Sequence, residues 1–441
     1  MHITVVGAGL AGCEAAWRIA NSGIKATLIE QKPGIMSDAH KSPLFAELVC
    51  SNSLKAERVA TAAGMLKEEM RRLNSLCIEA AYTCKVPAGG ALAVDRDKFS
   101  QYITDKIRAH KNIEIIEREQ TDIPEGVCII ATGPLTSGEM AESIKMLFDE
   151  EYLSFYDAAA PIVTAGSIDM EKAFFASRYD RGVGDDYINC PFDKQQYEAF
   201  IDALLSAERA KTSDADKHGV YEGCMPIEVL ASRGHDAPRF GPMKPVGLVN
   251  PATGRRPWAN VQLRRENSEG TLYNIVGFQT NLKFGEQRRV FSLIPGLENA
   301  EFVRYGVMHR NTFLNSPKLL GCDLSLKRLP RLFFAGQITG VEGYMESAGS
   351  GIIAGINAVR KLQGKSGIVF PADTMLGALM QHVGQSESKN FQPMGANLGI
   401  LPPLCYTVKD KRERYAAITE RGLRSFDRYA ADNGVNADLN L

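Results

Sequence analysis

The sequence has 441 residues, 44% of them hydrophobic and 23% charged, with a formal net charge of −1. This length is too great for one small core and predicts two or three domains, and the composition is that of a soluble globular protein. The net charge by itself argues against a protein dedicated to nucleic-acid binding. No run of residues approaches the roughly 18 consecutive apolar positions that span a bilayer, so no membrane partner is expected.

The start of the chain and its cysteines indicate the compartment. MHITVVGAGLAG has neither the basic segment nor the small-residue cleavage site of a signal peptide. The nine cysteines are scattered, with no Cys-x-x-Cys pair and none at zinc spacing, which is typical of a reducing compartment. We therefore predict a cytoplasmic protein without a metal site.

Strands and helices alternate from the second residue onward. Short β-branched or apolar runs predict strands, and a 3.6-residue periodicity predicts helices. The predicted elements are a strand at His2–Val6, a helix at Leu10–Asn21, a strand at Lys25–Glu30, a long helix at Leu54–Leu73, a glycine turn in PAGGALAVDR, a helix at Asp97–His110, an extended segment at Asn112–Arg118 and a buried strand at Gly126–Gly133. This order predicts an α/β domain of the Rossmann type.

The pattern changes after Pro134 and returns at Arg331. Residues 136–299 contain many prolines and short strands, with helices predicted at Asp193–Lys211 and Ile227–Ser232, and are predicted to form an inserted α+β domain. The first domain is therefore discontinuous, covering 1–135 and 300–365, and ends with a helix at Ser350–Leu362. Residues 366–441 are predicted to form a helical tail packed on it, with helices at Thr374–Val383 and Asp410–Ala431.

A glycine motif joins the first strand to the first helix: Gly7-Ala8-Gly9-Leu10-Ala11-Gly12. Its first glycine permits a tight turn, its second lets backbone amides approach a pyrophosphate, and its third lets helix and strand pack closely. The helix N-terminus favours phosphate, and Glu30, which ends the next strand, can accept hydrogen bonds from a ribose. The motif therefore predicts a dinucleotide site.

Later glycine turns indicate which dinucleotide is bound. Ala131-Thr132-Gly133 and Ala335-Gly336-Gln337 each close a strand, and two such returns to one nucleotide resemble the glutathione-reductase class of flavoproteins. We therefore predict noncovalent FAD rather than NAD. Gly349 and Gly351 are expected to open the last helix, with amides that face the FAD.

Two cysteines precede predicted helices. Cys50 lies just before Asn52 and Ser53, which are possible N-caps of the long helix, and Pro226 suits the first turn of the helix after Cys224. A helix N-terminus lowers a thiol pKa from about 8.5 to as low as roughly 3.5–7.5, so both are candidate nucleophiles, although a buried inert cysteine is the commoner case. Cys13 and Cys128 fall inside a helix and a strand and are predicted to be packing residues.

Three further side chains and one charged segment are candidates for ligand binding. His309 precedes the returning strand, where it can stack on a ring, and Glu342 and Glu346 flank glycines near the predicted flavin; each is also explained as an ordinary core or surface residue. From Arg233 to Arg331 there are sixteen Lys and Arg against seven Asp and Glu. This excess marks either a surface that meets a polyanion or a solvated face.

Taken together, these stretches resemble the folate- and FAD-dependent tRNA uracil-5-methyltransferase family (TrmFO). The similar stretches run from residue 3 to about residue 351 and are VVGAGLAGCEAA, ELVCSNSL, PAGGALAVDRDKFS, YEGCMPIE, RFGPMKPVGL, VGFQTNLKFGEQ, MHRNTFLNSP and LFFAGQITGVEGYMESAGSG.

The resemblance implies a reaction. NADPH or NADH would reduce FAD, which would take a one-carbon unit from 5,10-methylenetetrahydrofolate. A cysteine thiolate would add to carbon 6 of a T-loop uridine in tRNA, so that carbon 5 accepts the unit and 5-methyluridine results. The family assigns the nucleophile to the position of Cys224, a role near the flavin to Cys50 and folate stacking to His309; Glu342 is a further expected folate contact.

The resemblance also makes the basic segment the expected tRNA face, and no stable protein partner is expected. The predicted phosphate contacts are Arg255, Arg256, Arg264, Arg265, Arg288 and Arg289. Four alternatives stay open. The related wobble-uridine carboxymethylaminomethyl enzyme is usually longer and acts with a GTPase, and GCMP and MHRNTF argue against it. The others are a ribosomal RNA methyltransferase, a small-molecule flavoprotein oxidoreductase and a non-catalytic RNA-binding flavoprotein.

Overall fold

The computed structural model describes residues 2–37, 39–136, 138–147, 153–180, 184–210, 225–387, 389 and 391–436. Its strands are β1 (His2–Val6), β2 (Lys25–Glu30), β3 (Ser53–Ala56), β4 (Lys85–Val86), β5 (Ala91–Val94), β6 (Ile113–Glu117), β7 (Cys128–Ile130), β8 (Leu153–Ala158), β9 (Ile162–Thr164), β10 (Phe174–Phe175), β11 (Tyr187–Phe192), β12 (Ala259–Arg265), β13 (Leu272–Ile275), β14 (Phe302–Arg304), β15 (Met308–Phe313), β16 (Ser325–Leu326) and β17 (Leu329–Phe334).

The α-helices of these described ranges alternate with the strands over much of the chain. They are α1 (Leu10–Asn21), α2 (Ala62–Arg72), α3 (Leu76–Thr83), α4 (Arg96–Ala109), α5 (Gly138–Met146), α6 (Lys194–Leu205), α7 (Ile227–Ser232), α8 (Ala237–Phe240), α9 (Phe284–Phe291), α10 (Ser316–Leu319), α11 (Tyr344–Leu362), α12 (Met375–Gln385) and α13 (Lys411–Asp432).

A six-stranded sheet organises the first part of the chain, in the order β16-β17-β7-β1-β2-β6. The strands from β17 to β6 are all parallel, and β16 pairs antiparallel at the edge. The chain runs to one side of β1 through β2 and β6, and to the other through β7 and β17. Ligands of such doubly wound sheets bind where the order reverses, at the carboxyl ends of the strands. The predicted fold class, a Rossmann-type α/β domain, is confirmed.

Helices α1 and α11 pack very closely against each other over this sheet. A side chain on Gly351 would place its Cβ 2.1 Å from the carbonyl oxygen of Ala11, and one on Gly355 would lie 3.1 Å from that of Ala15. The backbones can approach so closely only because both positions are glycine. This contact holds the N-terminus of α1 at a fixed place above the sheet.

The long helix predicted over Leu54–Leu73 is wrong. Residues Ser53–Ala56 form β3, whose Ser53 pairs with Ala93 of β5, and the helix begins only at Ala62. Thr61 caps it, because the Thr61 hydroxyl accepts a hydrogen bond of 3.1 Å from the amide of Gly64. Pairing with β5 outweighs the helical composition of this segment, as tertiary contacts commonly do.

Several other predicted boundaries also shift. The helix predicted over Asp193–Lys211 ends at Leu205, and the helix predicted to begin at Ser350 begins six residues earlier, at Tyr344. Gly343 precedes it with φ +124°, a conformation that other residues rarely adopt.

A second, antiparallel sheet has the order β10-β11-β12-β13-β9-β14. It shares a hydrophobic core with α6, α7 and α9, whose largest buried side chains include Phe192, Tyr197, Phe200, Phe278 and Phe291. β8 and β15 pair with each other in a two-stranded ribbon that leads into and out of this region.

The end of the chain packs on the first sheet's helices. The buried carboxylate of Glu69 in α2 accepts hydrogen bonds from the amides of Met375 (2.7 Å) and Leu376 (2.8 Å) at the start of α12. Phe370 stacks on Phe426 of α13 with ring centroids 4.8 Å apart. No helix of the described residues is long and apolar enough to cross a membrane.

Candidate functional site

The turn between β1 and α1 has the geometry that its glycines predict. Gly7 has φ +97°, and a Cβ on Gly12 would lie 1.7 Å from the carbonyl oxygen of Gly7. A Cβ on Gly9, in contrast, would have no described atom within 4 Å. Gly7 and Gly12 are therefore required by the fold itself, whereas the open space at Gly9 is room for a ligand that approaches the backbone.

The N-terminus of α1 faces a large cavity at the carboxyl ends of the parallel strands. Gly9 is the N-cap and contributes no side-chain acceptor for the first amides of the helix. An uncapped helix N-terminus combines free N–H groups with partial positive charge and suits an anion such as a pyrophosphate. The cavity encloses about 1260 Å³ of space, including its open mouth.

Ten of the fourteen residues predicted to bind the dinucleotide line this cavity. They are Gly7, Gly9, Leu10, Ala11, Glu30, Ala131, Thr132, Gly133, Gly336 and Gln337. Ala8 and Gly12 lie just behind the wall and shape the turn. The cavity and its uncapped helix therefore fit an elongated, doubly phosphorylated ligand such as FAD.

Glu30 has a structural role besides the one predicted for it. One carboxylate oxygen accepts a 2.6 Å hydrogen bond from the amide of Ala8, and the other accepts a 3.0 Å bond from the amide of Lys32. Glu30 is buried but still faces the cavity. It therefore holds the glycine turn against the end of β2, and its contact with a ribose stays a prediction.

Gly349 and Gly351 were expected to open the last helix, and this is wrong. Both lie in the second turn or beyond of α11, which begins at Tyr344. A Cβ on Gly349 would lie 2.8 Å from the Leu376 side chain, and Gly351 faces Ala11. These glycines allow close packing inside the protein, and the cavity is lined instead by Tyr344 and Ser347 from the first turn.

A second cavity of about 1110 Å³ adjoins the first. The residues that line both cavities are Val49, Pro134, Leu135, Gln337 and Tyr344. The second cavity continues to Cys50, Ser51, Lys55, Gln279, Asn311, Glu342 and Glu346. A ligand bound in the first cavity would therefore lie next to a second cavity whose wall carries a thiol and two carboxylates.

Glu346 is the more buried of the two carboxylates. Its Oε1 accepts hydrogen bonds from Lys55 Nζ (2.6 Å) and from the amide of Ala396 (2.9 Å). A Cβ on Gly343 would lie 2.2 Å from Glu346 Oε2 and 2.7 Å from Lys55 Nζ. The absent side chain at Gly343 thus leaves the space in which this ion pair stands.

The other carboxylate, Glu342, accepts a hydrogen bond from the side-chain amide of Gln337. Behind the cavity wall, burial lowers the pKa of Lys67 to about 8, and its Nζ donates to the carbonyl oxygen of Leu54 (2.7 Å). The Gln337–Glu342 contact joins the second cavity to the first, because Gln337 lines both, whereas the Lys67–Leu54 contact fixes β3 against α2.

Cys50 lies at the junction of the two cavities but not at a helix N-terminus. The segment after it forms β3, so the predicted activation by a helix dipole is wrong. The amides of Cys50 and Ser51 instead donate to the hydroxyl oxygen of Tyr344, at 2.7 Å and 3.1 Å. Burial and the neighbouring Cys50 raise the pKa of Tyr344 well above its usual value, so this hydroxyl stays neutral.

The remaining cysteines that the structure describes separate by burial. Cys13, Cys77, Cys84, Cys128 and Cys190 are buried, and burial raises the pKa of the Cys128 thiol to about 11. Cys13 and Cys128 therefore have the environment of packing residues, as expected. Cys405 is exposed, far along the tail.

Cys224 lies outside the described residues, but the chain on both sides of it is anchored to one segment. Before it, the amide of Ala210 donates to the carbonyl oxygen of Asn281 (2.8 Å). After it, the amide of Ile227 donates to the carbonyl oxygen of Gln279 (2.8 Å), and buried Glu228 accepts from the amide of Asn281 (2.7 Å). Gln279 itself lines the second cavity.

His309 is in β15, where its backbone pairs with that of Asp157. The neighbouring Asn311 lines the second cavity. The predicted stacking of the His309 ring on a ligand stays a prediction.

The six arginines predicted to contact tRNA fall into two groups. Arg255, Arg256, Arg288 and Arg289 are exposed. Arg264 is buried and donates to Asn52 Oδ1 (2.9 Å) and Ser51 Oγ (2.8 Å), so its predicted phosphate contact is wrong. Arg265 is mostly covered and pairs with Asp185 at 3.0 Å.

Sequence reasoning missed four residues that shape this site: Tyr344, Lys55, and Arg96 and Arg304, which donate to the carbonyl oxygens of Leu48 and Val49 beside Cys50. Tyr344 stands among glycines beside the predicted flavin, which was a usable signal. The other three act through contacts with distant parts of the chain and had none. The described residues contain no group of three or more His, Cys, Asp or Glu side chains placed to hold a metal ion.

Comparison with known proteins gives consistent relationships over nearly the whole chain. The family model described as glucose inhibited division protein A matches residues 2–366. A protein of Acetivibrio thermocellus named methylenetetrahydrofolate–tRNA-(uracil-5-)-methyltransferase TrmFO is 58% identical over 431 residues, which is 98% of this chain and 99% of that protein. A protein of Lactiplantibacillus plantarum with the same name is 57% identical over 421 residues, which is 96% of this chain and 95% of that protein.

Among solved structures, GidA of Aquifex aeolicus in its form II crystal superposes with a TM-score of 0.68 at 16% sequence identity. The match covers 96% of this chain and 73% of GidA. At this identity the likeness establishes the shared fold.

Proposed function

This chain belongs to the methylenetetrahydrofolate–tRNA-(uracil-5-)-methyltransferase TrmFO family, and on that premise we propose that it methylates carbon 5 of a uridine in tRNA. The one-carbon donor is 5,10-methylenetetrahydrofolate and the cofactor is FAD. The finer parts of the proposal are a T-loop uridine as target, NADPH or NADH as reductant and a cytoplasmic location.

The first cavity supports the cofactor assignment through residues of this chain. The uncapped amides at the start of α1 would bind the FAD pyrophosphate, and the open space at Gly9 admits it. Glu30 would accept a hydrogen bond from a ribose hydroxyl at one end of the cavity, and Gly336 and Gln337 would line the other end. When bound and reduced, FAD supplies electrons and carries the one-carbon unit.

One observation carries the proposed function: the two cavities share a wall. Val49, Leu135 and Tyr344 line both the first cavity, which we call the dinucleotide cradle, and the second cavity. The second cavity is also lined by Cys50, Glu342 and Glu346. Folate and a uracil ring both need such a space beside a flavin, because a one-carbon transfer requires reacting atoms within contact distance.

Two cysteines have distinct proposed roles. We assign the nucleophile that adds to carbon 6 of the uracil to Cys224, because the chain before and after it is anchored to the 279–281 segment at the rim of the second cavity. Cys50 itself lines the second cavity. The proposed folate contacts are Glu342 and His309.

The tRNA face is proposed to include the exposed arginines 255, 256, 288 and 289. Beside the last two, Phe284 at the start of α9 is 55% exposed and stacks on Tyr305, with ring centroids 4.9 Å apart. An exposed aromatic ring next to cations suits both the bases and the phosphates of RNA.

The decisive experiment is methylation of unmodified tRNA by the purified protein with labelled methylenetetrahydrofolate and NADPH. We expect 5-methyluridine in tRNA, and no label when folate is omitted. Label that appears in ribosomal RNA but not in tRNA would contradict the substrate, and protein that neither contains nor takes up FAD would contradict the cofactor.

A variant tests the nucleophile within this experiment. Cys224→Ala should abolish the covalent adduct with tRNA that contains 5-fluorouridine, while Cys405→Ala, which removes an exposed thiol of the tail, should leave the adduct in place. An adduct that survives in Cys224→Ala would move the nucleophile to another residue.

A further inference from the structure

Three arginines from different parts of the chain donate to the segment that carries Cys50. Arg96, at the start of α4, donates to the carbonyl oxygen of Leu48 at 2.7 Å. Arg304, at the end of β14, donates to the carbonyl oxygen of Val49 at 2.5 Å. Arg264 of β12 contacts the side chains of the two residues after Cys50.

The charge around this segment is strongly unbalanced. Arg96 forms a two-point ion pair with buried Glu266, at 2.8 Å and 3.2 Å. Within the described ranges, neither Arg264 nor Arg304 contacts a carboxylate. Burial, together with the charge of Arg96, lowers the pKa of both. Glu266 offsets this lowering only in part. Cations withdrawn from water without a contacting carboxylate are costly, so the arrangement favours a further anion nearby.

Cys50 is the ionisable group placed to supply that anion. Its negative charge would raise the pKa of Arg96 and of Arg304, so it lies within electrostatic reach of both guanidiniums. Cys50 is only partly buried and faces the second cavity. The segment after Cys50 forms β3, so no helix N-terminus is there to stabilise a thiolate. The arginines supply the positive charge instead.

We propose that Arg96 and Arg304 are positioning residues that hold the Cys50 thiol in its thiolate form on the wall of the second cavity. The thiolate can accept a proton from a substrate, which a neutral thiol cannot do. Arg304 makes the larger contribution, because the charge of Arg96 is already balanced by Glu266. The proposal rests on the proposed function only for the use made of the thiolate.

Other ionisable groups near Cys50 are the same in the wild type and in the arginine variants. Tyr344, which accepts a hydrogen bond from the Cys50 amide, is neutral. Glu342 and Glu346 line the same cavity as Cys50, and Lys55 neutralises Glu346. The carboxylates oppose ionisation of Cys50, so the arginines must outweigh them. Removal of one arginine charge is therefore expected to shift the balance measurably.

The test is the pH dependence of iodoacetamide alkylation at Cys50 in the FAD-loaded protein, followed peptide by peptide with mass spectrometry. Arg304→Gln should raise the midpoint by about one pH unit, the smaller end of the effect of a neighbouring charge. Arg304→Lys keeps the charge and should restore the midpoint to near the wild-type value. Exposed Cys405 reports the reagent in the same samples.

Ser51→Ala is the control for a merely structural role. It removes the 2.8 Å hydrogen bond from Arg264 and loosens the segment without changing any charge, so the midpoint should stay. An unchanged midpoint in Arg304→Gln, or equal shifts in Arg304→Gln, Arg304→Lys and Ser51→Ala, would overturn the proposal.

A second measurement covers variants in which access to Cys50 changes. The ultraviolet absorbance of the thiolate, taken as the difference between each protein and its Cys50→Ser counterpart, should titrate with the same midpoints. Neither measurement contains tRNA or folate, so their outcome is separate from that of the methylation assay.

Discussion

Alanine at Gly9 and at Gly12 should separate cofactor binding from folding. A Cβ on Gly12 would lie 1.7 Å from the carbonyl oxygen of Gly7, so α1 or the turn must move by more than an ångström. Such overpacking costs typically 1–3 kcal/mol. At Gly9 a Cβ meets no described atom within 4 Å, and its backbone angles of −72° and −174° suit alanine, so the cost to the fold is limited to a less favourable N-cap residue, below about 1 kcal/mol.

The two variants should therefore lose different properties. We expect Gly9→Ala to weaken FAD binding at least tenfold, about 1.4 kcal/mol, because its methyl group occupies the space in front of the uncapped amides of α1. We expect Gly12→Ala to lower the unfolding temperature of the FAD-free protein by at least about 2–4 °C.

Both properties can be measured on the same preparations. Titration of the FAD-free protein with FAD gives the affinity, and thermal unfolding with and without FAD gives the stability and the stabilisation by the cofactor. If Gly9→Ala destabilised the FAD-free protein as much as Gly12→Ala, or bound FAD with full affinity, the assignment of this space to the pyrophosphate would be refuted.

Four further substitutions have expected outcomes. Arg288→Gln should weaken tRNA binding and lower the slope of log affinity against log salt concentration by about one. Arg264→Gln should leave that slope unchanged. It should instead lose about 2–4 kcal/mol of stability, because buried hydrogen bonds go unmade. Burial raises the pKa of Glu69 to about 8; since this folded-state pKa lies above the unfolded one, its stabilising effect is complete below about pH 4 and is lost as pH rises to 8. The free energy of unfolding of Glu69→Gln, obtained from melting curves, should therefore rise relative to that of the wild type by more than about 1 kcal/mol between pH 5 and pH 8. A difference that stays constant with pH would contradict this. Gly343→Ala should displace the Glu346 carboxylate and abolish methylation while the protein, assayed by absorbance, keeps its FAD; loss of FAD as well would mean that the two cavities do not act separately.

The dinucleotide cradle could be predicted from the sequence because its requirements are local. Gly7, Gly9 and Gly12 act on one another across a single turn, and Glu30 ends the strand directly beside it. A short stretch of sequence therefore contains nearly all of the interactions that fix this geometry.

The surroundings of Cys50 could not be predicted in this way. The segment after it has a helical composition, but its pairing with β5 decides its conformation. Arg264 belongs to a basic run that suggested a surface, yet Asn52, its partner, is 212 positions away in sequence. Only the folded chain brings these groups together, so neither the burial of Arg264 nor the charge beside Cys50 has a sequence signal.

The same contacts join the two sheets mechanically. Arg264 and Arg304 belong to strands of the second sheet and donate to residues between 49 and 52, and Asn52 returns a 2.7 Å bond to the carbonyl oxygen of Arg265. Hydrogen bonds to charged groups contribute roughly 1.5–3 kcal/mol each, so a hinge motion that separated the sheets here would break several at once. The Cys50 segment thus fixes the two sheets to each other and does not act as a hinge. We therefore expect substrates to exchange through the mouths of the cavities while the two sheets stay together.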